Sequence, residues 1–261
     1  MKLNIRFFSI LLITTLFALL AGCSGQKTEL SATDIQQTFE RGMTYFEKKN
    51  WLKAEEVFTF IIYNDPAGEW ADDAQFYLAE SHFKRDEFLL AINEYDRLLS
   101  RMPNSELVEE ATWRKAEAYV ELSPDYRLEP AMTEKALRVL FEFLDYYPES
   151  VHREPAEVHI RELRDKLARK YFESAELYSV MGEYESAVVY YESVLEEYPD
   201  TQYALLSDLG RAEALFQIGR DSEADTALRI VEANLEALPD KEQQAAQTLR
   251  EKLEEVGIPS Q

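Results

Sequence analysis

The sequence predicts an all-α solenoid of about five stacked helical hairpins, on three observations. Four alanines are each followed twelve residues later by a proline: Ala54 and Pro66, Ala91 and Pro103, Ala136 and Pro148, Ala187 and Pro199. Three of these alanines also have a small residue twelve positions upstream, Gly42, Ala79 and Ala175, and an aromatic four positions downstream, Phe58, Tyr95 and Tyr191. Glycine is scarce, with 8 in 261 residues, and apolar residues recur at helical spacing with no alternating strand pattern of useful length.

Each part of the register has a physical reading. Small residues twelve apart mark the crossing of two antiparallel helices, because only a side chain of zero or one carbon lets the backbones approach within about 8 to 10 Å. The aromatic one turn further fills the seam. Proline ends the second helix, since its ring clashes with the preceding turn and it has no N–H to donate. A hairpin alone leaves one face uncovered, so about three or more must stack. The phasing resembles the tetratricopeptide repeat (TPR), which implies a right-handed superhelix with repeats near 35–68, 72–105, 109–150, 168–201 and 205–238. The fifth keeps Ala212 and Ala224 but has Leu228 in place of the aromatic and Glu236 in place of the proline, as suits the end of a stack.

Two interruptions break the period. Ala116 and Ala136 are twenty residues apart, so eight extra residues within Leu122 to Met132 enlarge the third turn. The segment Ser123-Pro124-Asp125-Tyr126-Arg127-Leu128-Glu129-Pro130 contains two prolines and cannot be helical throughout. It reads either as a cover for the solenoid edge or as a partner-binding loop carried by Ser123, Pro124, Asp125, Tyr126 and Arg127. The second interruption lies between Pro148 and Ala175, which are 27 apart where other repeats have 13. The excess is about four helical turns. It predicts one helix from near Arg153 to Val180 and a division into an N-terminal lobe (33–150), a connecting helix (151–180) and a C-terminal lobe (181–257). Arg161, Arg164, Lys166, Arg169 and Lys170 make this helix locally basic. They would meet an acidic partner or, interspersed with Glu157, Glu162 and Asp165, form a solvated face.

Residues 1–22 carry Lys2 and Arg6, then an apolar run from Ile10 to Leu20 broken by Thr14 and Thr15, then Ala21-Gly22. That order is a secretory signal, and the run is short for a membrane span. Leu20-Ala21-Gly22-Cys23 resembles the bacterial lipobox, which implies acylation of Cys23, the single cysteine, as the mature N-terminus. The alternative is a free cysteine after an ordinary signal. Ser24 in place of Asp resembles the outer-membrane sorting pattern. Residues 23–32 then form a small, polar tether of roughly 30 Å at most, with acyl chains as the membrane contact. Thr33 and Gln36 make a capping-box pattern at the start of the first helix.

The chain has 50 acidic and 28 basic residues; loss of Lys2 and Arg6 leaves 26 basic and a mature net charge of −24. Such a charge excludes nucleic acid as a partner and opposes unaided adhesion to anionic lipid. His82, His152 and His159 show no HExxH spacing, and no phosphate-binding glycine loop is present. His152 and His159 could share a helix face. No cofactor or metal is implied, and the chain does not read as an enzyme.

In the TPR register the first helices line the concave side with Phe39, Met43 and Phe46, then Phe76, Glu80 and Phe83, then Trp113, Glu117 and Val120. Core packing accounts for part of these aromatics, and an exposed remainder would suit an extended peptide with aromatic side chains. The lipobox, Ala54-Glu55-Glu56-Val57-Phe58, Ser123-Pro124-Asp125-Tyr126, Leu163-Arg164-Asp165-Lys166-Leu167-Ala168, Ala175-Glu176-Leu177-Tyr178 and Glu197-Tyr198-Pro199-Asp200-Thr201-Gln202 together resemble the BamD family of outer-membrane assembly lipoproteins. The resemblance spans nearly the whole chain. It implies a lipid-anchored protein facing the periplasm, whose C-terminal lobe meets the POTRA domains of the barrel-forming subunit BamA. It also implies association with other assembly-machinery lipoproteins and an N-terminal groove for the C-terminal targeting peptide of unfolded β-barrel proteins. Another periplasmic TPR lipoprotein, serving envelope division or secretion, is the alternative reading; a cell-wall hydrolase or metal enzyme is the remotest.

Overall fold

A computed structural model describes residues 34–259, within which all regular structure is helical. The signal segment, Cys23, the tether and Thr33 lie outside the described residues. Five hairpins follow one another: α1 (Ile35–Glu47) with α2 (Trp51–Asn64), α3 (Ala71–Phe83) with α4 (Phe88–Arg101), α5 (Val108–Glu121) with α6 (Ala131–Tyr146), α7 (Arg153–Met181) with α8 (Tyr184–Glu197), and α9 (Tyr203–Gln217) with α10 (Asp221–Ala233). A short 3₁₀ turn at Leu235–Ala237 leads to a last helix, α11 (Asp240–Glu255). Each helix packs on the next in the chain. The cap of α1 sits one residue later than the Thr33/Gln36 pattern suggested: the carboxylate of Asp34 accepts from the Gln37 N–H at 2.9 Å.

The small-residue register is the packing code. Ala54, Ala79, Ala91, Ala116, Ala136, Ala175, Ala187, Ala212 and Ala224 are fully buried. A Cβ on Gly42 would stand 2.7 Å from the Phe58 ring, so only glycine fits that crossing. Before Pro66, Pro103, Pro148 and Pro199, the residues Asp65, Met102, Tyr147 and Tyr198 are all held out of the helical region, with φ between −141° and −127° and ψ between 47° and 65°. That is the steric effect of a following proline ring.

Four of the five hairpin turns share one geometry, with a left-handed residue after the first helix: Lys49 at φ 57°, Asp86 at 60°, Gly182 at 79° and Gly219 at 74°. In each, the next N–H reaches back five residues, as from Asn50 to the Tyr45 carbonyl and from Arg220 to that of Leu215, both 2.9 Å. The third turn carries the insertion.

The helix expected from near Arg153 to Val180 runs Arg153–Met181, 29 residues, ending at Gly182. Its first half, through Ala156, Ile160, Leu163, Leu167 and Ala168, shares a core with α5, α6 and the end of α8, while Ala175 belongs to the core of the last hairpins. α11 closes that second core with Ala246, Leu249 and Leu253. Arg250 ties it down, donating to Asp225 at 2.5 Å and to Glu232 at 2.7 Å.

Candidate docking surfaces

The residues assigned to the N-terminal groove divide into two groups. Phe39, Phe76 and Trp113 are buried, so these three are core. Phe39 stacks on Trp70 at 4.9 Å and meets Phe58 and Tyr77, Phe76 meets Tyr77 and Tyr95, and Trp113 lies against Phe143. Met43, Phe46, Phe83 and Glu117 are half-buried and line what remains of the surface. Phe46 leans on Trp51 and Tyr77, and Phe83 lies beneath Arg114, whose guanidinium is 4.1 Å from its ring centre. Trp113 is flanked by two of the three histidines, His152 at 4.9 Å and nearly parallel, His159 at 6.1 Å. His152 also meets Glu110 at 2.8 Å.

Glu80 is buried and belongs to a network that the sequence did not disclose. Arg114 donates to it through Nε at 2.6 Å and Nη2 at 3.1 Å, while Nη1 pairs with Glu117. The Tyr95 hydroxyl donates to the same Glu80 carboxylate. Burial works against the Arg114 charge, but the hydrogen bonds and charge of Glu80, with Glu117 behind it, hold the guanidinium above its usual range. Burial first, then the charge of Glu80, pushes the Tyr95 phenol up.

The insertion is clasped to α7. Lys166 donates to the Ser123 hydroxyl at 2.8 Å, Lys170 donates to the Leu128 carbonyl at 2.9 Å, and the Tyr126 hydroxyl donates to Glu173 at 2.8 Å. Arg169 stacks over the Tyr126 ring at 4.0 Å and pairs with Glu173 at 2.8 Å. Arg164 pairs with Asp200. Four of the five cations of the basic stretch therefore serve internal contacts rather than a ready face for an acidic partner. Asp125, Arg127, Leu128 and Glu129 remain exposed on the outside of the insertion. Pro124, Asp125 and Tyr126 face Glu162, Asp165 and Tyr203 across a cleft of about 410 Å³.

Repeats four and five carry part of the same network. The Tyr191 hydroxyl donates to Glu176 at 2.5 Å, as Tyr95 does to Glu80. Glu213 stands one repeat further, where Glu117 stands in the N-terminal lobe. It keeps solvent contact, yet desolvation by the surrounding helices pushes its carboxyl above the ordinary value, with the charge of Glu176 adding to the shift and Lys252 and Lys241 easing it. A pocket of about 370 Å³ opens here between α7, α9 and α11.

Residues 31–230 match a family model described as YfiO, outer membrane lipoprotein. The chain belongs to this family, that of BamD. Among the family's curated members, an outer membrane protein assembly factor BamD of Caulobacter vibrioides is 25% identical over 211 residues, covering 79% of this chain and 69% of that protein. The factor of the same name from Vibrio cholerae is 20% identical over 227 residues, covering 83% and 94%. Among solved structures, the TPR2AB-domain:pHSP90 complex of yeast Sti1 is 16% identical, covering 85% of this chain and 92% of that one, with a TM-score of 0.45.

Proposed function

We propose that this chain is a non-enzymatic scaffold for outer-membrane protein assembly, held on the periplasmic face by acyl chains on Cys23 and a tether of residues 23–32. The observation that carries the reading is the family match across residues 31–230 on a solenoid whose charged clusters are braces between repeats. In this reading the C-terminal lobe docks the POTRA domains of a BamA homologue, and other lipoproteins of the machinery join the complex. The half-buried Met43, Phe46, Phe83 and Glu117 receive the targeting peptide of unfolded β-barrel proteins, with Phe39, Phe76, Glu80 and Trp113 supporting them from below. The outer side of the insertion, through Asp125 and Arg127, is a further contact, with Ser123, Pro124 and Tyr126 fastening it to α7.

The test is affinity capture of tagged protein from solubilised outer membranes, with intact-mass measurement of the mature N-terminus. Recovery of a BamA homologue and an acylated Cys23 is the expected result. Capture of a division or secretion complex without BamA would instead favour the other periplasmic TPR reading.

A further inference from the structure

The concave side carries one glutamate directly after each of the small crossing residues of repeats two to five: Glu80, Glu117, Glu176 and Glu213. They form two pairs, each with a tyrosine on the first member: Glu80 with Tyr95, Glu176 with Tyr191. In the N-terminal pair a guanidinium sits between the carboxylates. It belongs to Arg114, two residues before Ala116, and it bonds Glu80 and Glu117 while lying on the Phe83 ring. In the C-terminal pair the position two residues before Ala212 is Gly210. No ion pair links Glu176 or Glu213 to a cation among the described residues. Gly210 is itself fixed, because a Cβ there would stand 2.3 Å from the Tyr191 ring.

The pocket adjoins the two carboxylates that no guanidinium closes. Glu176 and Glu213 line it, with the Tyr191 hydroxyl, the rings of Tyr184 and Phe216, and Lys252 from α11. We infer that this pocket takes an arginine side chain from a partner protein, in the place that Arg114 fills in the N-terminal lobe. Two carboxylates and flanking aromatic rings suit a planar, forked cation better than a compact ammonium. Two acids that no ion pair closes, with Lys252 the one cation in the pocket's lining, gain from a charge that arrives with the partner. The guanidinium preference stands on the pocket; assignment of the partner as the BamA homologue rests on the function proposed above.

The first experiment titrates the full mature chain with N-acetylarginine amide, with the neutral N-acetylcitrulline amide and N-acetyllysine amide as comparators, and follows binding by NMR. The arginine probe is expected to bind at least about tenfold more tightly than the citrulline probe and several-fold more tightly than the lysine probe. The isosteric Glu176→Gln/Glu213→Gln variant should lose that preference, while Glu149→Gln, at an exposed carboxylate outside the pocket, keeps it; circular dichroism verifies that each variant is folded. Equal binding of arginine and citrulline, or an unchanged preference in the double variant, overturns the inference. The second experiment compares capture of the BamA homologue by wild type and by the double variant. A loss of tenfold or more supports a partner arginine in the pocket, and equal capture overturns it for that partner. If wild type captures no BamA homologue while the probes still discriminate, the proposed function fails and the pocket stands.

Discussion

The two halves of this solenoid use the same frame for opposite ends. In the N-terminal lobe, Glu80 and Glu117 are closed by Arg114 into a brace between repeats two and three. In repeats four and five, Glu176 and Glu213 hold the matching positions, and Gly210 stands where the arginine would be. The lesson concerns repeat proteins generally: because each repeat places equivalent positions in equivalent settings, one substitution turns an internal ion pair into an open receptor for a charge.

The largest test of this contrast is Arg114→Met. It leaves Glu80 buried without its cation, and urea unfolding should show a loss of about 3 kcal/mol, most of it restored by adding Glu80→Gln. Gly210→Ala should cost about 2 kcal/mol by the same measurement, since the new Cβ must displace the Tyr191 ring. Removing the hydroxyls compares the pairs directly. Tyr95→Phe should cost about 1.5 kcal/mol, leaving a buried carboxylate oxygen short of a donor, and Tyr191→Phe about 1 kcal/mol, because Glu176 is open to water.

The turns differ between the lobes as well. Lys49→Gly should stabilise the protein by up to about 1 kcal/mol, since Lys49 adopts the left-handed conformation that Gly182 and Gly219 adopt without strain. The smallest effect is expected at Glu213. Its folded-state carboxyl is raised, so the folded chain binds a proton the unfolded chain has already released, and stability falls as pH rises from the ordinary carboxylate range through the raised value. Glu213→Gln should remove that penalty and raise Tm at pH 7 slightly in a thermal scan, the effect being small because the side chain is exposed and water screens it, even as it weakens capture of the arginine probe.

Much of the fold was legible because its signals are steric and short-range. Alanine and glycine at the crossings, and proline after the second helices, admit few alternatives, and the excess between Pro148 and Ala175 could only be absorbed by a longer helix or a loop. Residues whose role depends on a neighbour one repeat away were not legible. Arg114 looks like any surface arginine until α3 brings Glu80 beneath it, and Gly210 looks like a weak helix residue until Tyr191 is seen against it. α11 escaped notice because it lies beyond the last recognisable repeat. For the same reason Phe39, Phe76 and Trp113 could be placed on the inner side of their helices, but their burial depends on Trp70, Tyr77 and Phe143 closing over them.

The unbroken length of α7 sets how the two ends of the molecule move. At 29 residues it is a rod of about 43 Å with no glycine and its one proline, Pro155, in the first turn, where it leaves the helix unkinked. Such a rod pivots but does not fold. A swing of about 10° at one end carries the other through roughly 7 Å, so a load taken up at the last hairpins reaches the third repeat as leverage, undiminished by any intervening joint.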